Sequence, residues 1–311
     1  MSNNTKKKIR IFAPATVSNV GSGFDIMGFA IEGTGDTIEM ELRNDSFFII
    51  ENHTGLVLPD DPDENVIYPV IKALQKELGI DVGVNLKFIN KIKPGSGIGS
   101  SAASSVAAAY GFNWLLGSPL IKTELIRYAM EGERLVSGAG HADNIAPCML
   151  GGFILIRSYR PLDIIEIPYP KSLYCTIALP DISIRTAEGR SVLQKTHSLN
   201  KTITQTGNAA GLVAGLFMRD HELIGRSMVD VIAEPKRKNM IPGFDEVRKA
   251  AHEAGALGCN ISGSGPAVFT LSTDPKTARE AGNAMAKAFK RKKMECNLYI
   301  SPISNKGVHE I

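Results

Sequence analysis

An α+β fold in two domains is the architecture this sequence predicts, on three observations. Strand-like and helix-like apolar patterns both recur along the chain, but they do not alternate strictly, which disfavours a doubly wound parallel sheet. The chain has 311 residues, enough for two domains of ordinary size. Prolines at 161, 168 and 170 interrupt the pattern at mid-chain, so one domain is expected over residues 1–168 and a second over 169–311.

The elements follow in order. Residues 9–13 are a short apolar run ending at Pro14 and read as a strand. Residues 37–42 alternate polar and apolar side chains, a second strand, and 47–50 are a third candidate. Asp63, Glu64 and Asn65 open a helix whose apolar residues Val66, Ile67, Val70, Ile71, Leu74 and Leu78 keep the helical period, with Gly79 as its stop. Residues 84–89 alternate again and lead into a glycine-rich turn. The stretch 100–116, SSAASSVAAAYGFNWLL, starts with small residues and ends with bulky ones, so it reads as a helix packed tightly at its N-terminal end. Residues 123–136 form another helix, 138–147 a polar loop and 152–157 a strand. In the second half, strands are expected at 173–179, 259–262, 267–271 and 297–301. Helices are expected at 207–218, 222–232, 244–254 and 275–291. No internal repeat is present.

Composition excludes several functions. With 35 basic and 32 acidic residues the net charge is +3, too even for a nucleic-acid partner. Lys6, Lys7 and Lys8, and the basic run at 290–293, read as a solvated tail and a solvated helix end. No segment approaches the roughly 20 apolar residues that span a bilayer, and the first 15 residues lack the apolar run of a signal peptide. Cys148, Cys175, Cys259 and Cys296 are scattered through apolar stretches without a CxxC. They read as thiols in a reducing compartment, and a cytoplasmic location is expected.

The strongest local signal is PGSGIGSSAAS, residues 94–104. Glycines let backbone N–H groups approach an anion, and a helix start supplies free N–H groups and a positive dipole end. Ser100, Ser101 and Ser104 add hydroxyls for phosphate or Mg²⁺. The same residues also fit a tight turn with serine caps. The P-loop pattern is absent, since no Gly–Lys pair occurs in the chain, and G-x-G-x-x-G fails because Ser100 stands where the third glycine belongs. Two more glycine turns, NVGSGFD at 19–25 and GSGP at 263–266, are each ambiguous alone. A hairpin explains the second as readily as a ligand.

Read in order, PATVSNVGSGFD, PGSGIGSSAAS, SGAGHADNIAP, EPKRKNMIPG and SGSGPA resemble the motifs of the GHMP kinases along essentially the whole chain. The opening loop and GAGHADN are most similar to the homoserine branch. Ile98 stands where the family often has leucine, a conservative departure. The resemblance implies an N-terminal domain like the second domain of ribosomal protein S5, a ferredoxin-like C-terminal domain, and a site between them. It implies ATP-dependent phosphorylation of the L-homoserine hydroxyl, a step toward threonine, with Mg²⁺ as cofactor, and it suggests a homodimer.

Carried onto these residues, the resemblance assigns ATP to Lys93, Pro94, Gly95, Ser96, Gly97, Ile98, Gly99, Ser100, Ser101, Ala102 and Ala103, with Asn65 near the base. It assigns Mg²⁺ to a serine of the pair Ser100 and Ser101, and to Glu133. It assigns the substrate carboxylate to Arg190 and Arg237, which suits an arginine fork, and the ammonium to Asp25 and Asn19, with Gly263 beside them. Asn144 or Asp143 falls beside the reacting hydroxyl, with Thr186 close to the arginine site. Asp143 matches the aspartate assigned as base in the mevalonate branch, and a phosphate oxygen is the other route for the proton. Read alone, Glu133 also fits a solvated helix face, Asn65 a helix cap, and both arginines ordinary solvated loops. His141 receives no role. Asp25 opposite an ammonium favours an amino acid over mevalonate or a sugar. The alternatives are another kinase of this superfamily and a nucleotide-binding sensor without catalysis.

Overall fold

The computed structural model describes residues 8–59, 61 and 64–311, so Asp63, Lys6 and Lys7 lie outside it. The first sheet is built on β1 (Lys8–Ser18), whose early residues alternate between exposed and buried and whose last six are all buried. It pairs antiparallel with the long β2 (Met27–Leu42), Ile9 opposite Met40 and Ile11 opposite Ile38. The register shifts between Pro14 and Thr16, where Pro14 has no N–H to offer the ladder. The sequence pattern found only the second half of β2. Its first half is glycine-rich, which weakens a strand signal, yet the backbone still pairs with β1 and with β5 (Phe153–Tyr159).

β3 (Phe48–Asn52), α1 (Ile67–Leu78) and β4 (Val84–Asn90) form a parallel crossover, and β4 pairs with β2. α1 buries Ile67, Val70, Ile71 and Leu74, the expected face, and stops at Gly79 in a left-handed conformation. α2 (Ser100–Leu115) is buried almost all round. Its alanines and serines let it lie close to β1 and to α3 (Lys122–Ser137). The expected loop 138–147 ends early, because α4 (Ile145–Leu150) begins inside it and accommodates Pro147 in its first turn, where a missing N–H costs nothing. β6 (Leu162–Ile167), not anticipated, closes a hairpin with β5.

Across residues 168–173 the chain passes to a second sheet. It contains β7 (Tyr174–Pro180), and its first connection opens with four helical segments, three of them short. These are α5 (Thr186–Ser191), α6 (Leu199–Met218), α7 (His221–Ser227) and α8 (Glu234–Arg237). After α9 (Phe244–Glu253) come β8 (Gly258–Ile261), β9 (Val268–Ser272), α10 (Pro275–Arg291) and β10 (Cys296–Pro302). The order β10-β7-β9-β8, antiparallel throughout, is the ferredoxin-like βαββαβ arrangement. α6 starts eight residues earlier than expected because Ser198 caps it, its side chain accepting from the Lys201 N–H. α7 is shorter than expected, with Asp220 capping it through the Leu223 N–H.

The second half does not keep to its own sheet. β11 (His309–Glu310) returns to pair with β1, and Ile31 bridges Ile303. The sheets also share apolar packing: Phe29 lies 5.3 Å from Phe153 and 6.0 Å from Phe269 between ring centroids. Cys148, Cys175 and Cys259 are buried free thiols and Cys296 is half-buried. No described helix is long and apolar enough to cross a membrane.

Candidate active site

Between the sheets lies a cleft of about 630 Å³, a size suited to small ligands. One end is formed by the turn joining β4 to α2. Gly95, Gly97 and Gly99 all have positive φ. At Gly97 a Cβ would stand 2.7 Å from the carbonyl oxygens of Ser262 and Gly265, so the first glycine turn lies directly on the GSGP turn. The carbonyls of the loop are taken up by its surroundings. Gly95 O accepts from Ile184 N, Ser96 O from Ala267 N, Gly97 O from Ser262 Oγ and Ile98 O from Thr16 N. α2 then begins at Gly99, which has no side chain to cap it. The first N–H groups of the helix, orphaned by construction, are left for an anion.

The two serines part company here. Ser101 donates to Glu133 Oε2 at 2.9 Å. Ser100 instead donates to Ile92 O and accepts from Lys91 Nζ at 2.7 Å. It belongs to a buried network in which Lys91 also pairs with Asp36 at 3.0 Å. Asp36 in turn takes the Ile92 N–H and the Ser104 hydroxyl. This network ties the floor of the loop to β2, and the sequence reading passed over Lys91. Lys93, assigned to ATP, points away to Asp181 on the surface. Ile98, Ala102 and Ala103 are fully buried behind the loop and do not line the cleft. Pro94 and Ser96 do. Asn65 Oδ1 accepts from the Ile67 N–H at 3.1 Å at the start of α1, and the residue lines the cleft beside Leu58, Pro59 and Val66.

Glu133 sits on α3 and is buried, not solvated. Burial pushes its carboxyl up to about 7, against hydrogen bonds from Ser101 and Ser137 and the charge of Arg190, while Asp25 adds to the rise.

The other end of the cleft gathers the remaining polar residues. Asp25, at φ 57°, accepts two hydrogen bonds from Arg190, 2.8 and 3.1 Å, and its own N–H goes to Asn19 Oδ1. Asn19 Nδ2 and Arg237 Nη1 both donate to Gly263 O at 2.8 Å, and Arg237 Nε donates to Gly189 O. Neither arginine is in a loop. Arg190 rides on α5, opened by Glu188 accepting from the Arg185 N–H. Arg237 ends α8, opened by Asp230, which takes the N–H groups of Ile232, Ala233 and Glu234. Arg237 is only 3% exposed and makes no ion pair among the described residues. Burial lowers its pKa, with Asp25 partly opposing. For Arg190 burial also works downward, but the Asp25 contact outweighs it and the net shift is upward.

Asp143 is buried, and desolvation followed by the charges of Asp25 and Glu133 pushes it up to about 7 against Arg190 and Ser18. Asn144 lines the cleft with its amide already engaged: Oδ1 accepts from Thr16 Oγ1 at 2.7 Å and Nδ2 donates to Ser18 Oγ at 2.8 Å. Thr16 and Ser18 share one face of β1 by the period of two, a signal legible in the sequence. Thr186 opens α5 at the cleft wall. His141, given no role from sequence, stands 3.8 Å from Asp25, its pKa lowered by burial against that carboxylate. Tyr159 joins the two loops, donating to Asp25 O and accepting from the Ala142 N–H.

This constellation can be set beside known proteins. The profile of the GHMP kinases N terminal domain matches residues 65–152, and that of the GHMP kinases C terminal matches 210–291. The homoserine kinase of Chlorobium phaeobacteroides (strain BS1) is 45% identical over 98% of this chain and 100% of its own length. That of Chlorobaculum tepidum is 46% identical over 98% of each. The crystal structure of homoserine kinase from Cytophaga hutchinsonii superposes with a TM-score of 0.95 at 45% identity, over 100% of this chain and 99% of that one. At that level of identity, over full length and with both domains matched, the chain belongs to the homoserine kinase family of the GHMP kinases.

Proposed function

We propose that the protein transfers the γ-phosphoryl group of ATP to the side-chain hydroxyl of L-homoserine, giving ADP and O-phospho-L-homoserine, and that the cleft residues divide this work between its two ends. The observation that carries the reading is Arg237, a buried guanidinium with no carboxylate partner among the described residues, in the same cleft as the free N-terminus of α2. A buried unpaired cation is costly, and a substrate carboxylate would neutralise it. Arg190 would supply the second prong, and Asp25 with Asn19 would take the ammonium. Asp25 then faces a cation in either case, exchanging part of its pairing with Arg190 for the substrate.

At the nucleotide end, the N–H groups of α2 and the glycine loop would hold the phosphates, with Asn65 and its apolar neighbours against the base. Ser101 and Glu133 offer the hard oxygen ligands that suit Mg²⁺, which binds through few protein oxygens plus substrate phosphates. When bound, the metal supplies charge neutralisation for the transferred group. Phosphoryl transfer passes through a loose transition state and needs positioning above all. The new bond joins the homoserine hydroxyl oxygen to the γ-phosphorus, and the bond to the bridging oxygen of ADP breaks. Asp143, whose carboxyl burial pushes up to about 7, would accept the hydroxyl proton. Asn144, pinned by Thr16 and Ser18, would hold the loop carrying Asp143. The cytoplasmic location and homodimer implied by the family accompany this reading, and sedimentation of the purified protein tests the second.

The test is ADP release with Mg²⁺-ATP, comparing L-homoserine with D-homoserine, L-threonine, mevalonate and galactose. Turnover confined to L-homoserine is expected. Preference for another acceptor would keep the ATP site and overturn the substrate, and nucleotide binding without turnover would leave a sensor.

A further inference from the structure

Two guanidiniums that share a carboxylate-binding task repel one another, and Arg237 in particular is held without being neutralised. The charge of Arg190 is one of the influences that lower the Arg237 pKa. Arg190 is restrained by Asp25, but its Nε is buried without a hydrogen-bond partner. Among the described residues Arg237 donates hydrogen bonds to two carbonyl oxygens, those of Gly189 and Gly263. What the two have in common is Phe24. The Arg237 guanidinium carbon lies 5.1 Å from the centre of its ring and that of Arg190 lies 5.9 Å from it, both within the reach of a cation–π contact. Phe24 is half-buried and does not line the cleft, so it stands behind the arginines and not beside a ligand.

We propose that Phe24 is a positioning residue for substrate recognition: its ring holds Arg190 and Arg237 together as one carboxylate-binding pair. An aromatic face is suited to this task because it attracts both cations through its quadrupole while consuming none of their N–H donors and cancelling none of their charge. A carboxylate in its place would bind the arginines more strongly and compete with the substrate. An aliphatic residue would fill the space without attraction, leaving the repulsion between the arginines unopposed at that face. The assignment rests on the homoserine reading above and adds to it the residue that shapes carboxylate affinity.

The experiment is steady-state kinetics of Phe24→Leu, Phe24→Met and Phe24→Tyr, each with L-homoserine and with its carboxamide analogue, alongside thermal unfolding. Phe24→Leu and Phe24→Met keep apolar bulk and lose the π face, and either one serves if the other fails to fold. With L-homoserine we expect their KM to rise about tenfold, with the KM for ATP within about twofold of the parent value. Phe24→Tyr, which keeps the ring, should restore the parent KM. With the uncharged carboxamide the difference between Leu and Tyr variants should vanish, since no carboxylate then reads the arginine pair. An unchanged homoserine KM in Phe24→Leu, or equal penalties for the carboxylate and the carboxamide, would overturn the proposal while leaving the homoserine reading intact. Failure of the parent protein to phosphorylate L-homoserine would overturn that reading, and this assignment with it.

Discussion

Asp25 and Arg190 stand 165 residues apart in the chain and close a two-pronged ion pair across the cleft, at 2.8 and 3.1 Å. The pair joins the opening glycine turn to α5, so it links the two halves of the chain at the proposed substrate site. Arg190→Ala and Arg237→Ala should each reduce kcat/KM for homoserine by about 10- to 150-fold, the loss expected for a charge-assisted hydrogen bond of about 1.5–3 kcal/mol. The KM for ATP should change little. Equal damage to both substrates would point to misfolding and remove the arginines from the substrate site.

Glu133 links metal binding to pH. Its carboxyl is raised by burial to about 7, and a metal competes with the proton for it. Apparent Mg²⁺ affinity should therefore climb between about pH 6 and 8, and Glu133→Gln should raise the Mg²⁺ requirement and flatten the climb. The stability effect has the opposite direction. A carboxyl raised above its unfolded value of 4.5 adds stability that is fully present below that pH and is lost as pH rises through about 7. Mg²⁺ titrations followed by ADP release at several pH values decide the first point, and urea midpoints without metal decide the second.

Asp143 carries the acid–base prediction. Asp143→Asn should lower kcat by about 10²-fold or more if the carboxylate accepts the hydroxyl proton. Retention of most of kcat would show that the proton leaves by another route, such as a phosphate oxygen. Arg190 lowers the pKa of both Asp143 and Glu133. Arg190→Ala should accordingly move the rising limb of the pH–rate profile to higher pH.

Two lysines close together in sequence should behave differently. Lys91 is buried against Asp36 and Ser100, whereas Lys93 meets Asp181 at the surface. Lys91→Met leaves Asp36 as a buried uncompensated charge and should cost about 3–5 kcal/mol. Lys93→Ala should cost under about 1 kcal/mol. Urea titration measures both, and similar values for the two would contradict the placement of Lys91.

The glycine loop should be intolerant at Gly97, where φ is +81° and a Cβ would meet two carbonyl oxygens at 2.7 Å. Gly97→Ala should destabilise by about 1–3 kcal/mol and abolish the thermal protection given by ATP. Unaltered ATP protection would mean that the loop does not carry the phosphates.

The features legible before folding were local and came in a fixed order along the chain. The period of α1, the small-residue face of α2 and the three glycine turns are patterns within a few residues, and their sequence along the chain was enough to bring the family into view. Local patterns also misled. Glycines hid the first half of β2, and polar composition disguised α5 and α8 as loops, because their helical turns are held by single capping carboxylates, Glu188 and Asp230, that propensity does not register. Only the tertiary structure separated Ser101 from Ser100 and Lys91 from Lys93, buried Glu133, and set Phe24 behind two arginines. Each of those outcomes depends on which distant group desolvates or contacts a side chain. Such energies act between residues that the chain brings together only when its two sheets close over a shared core.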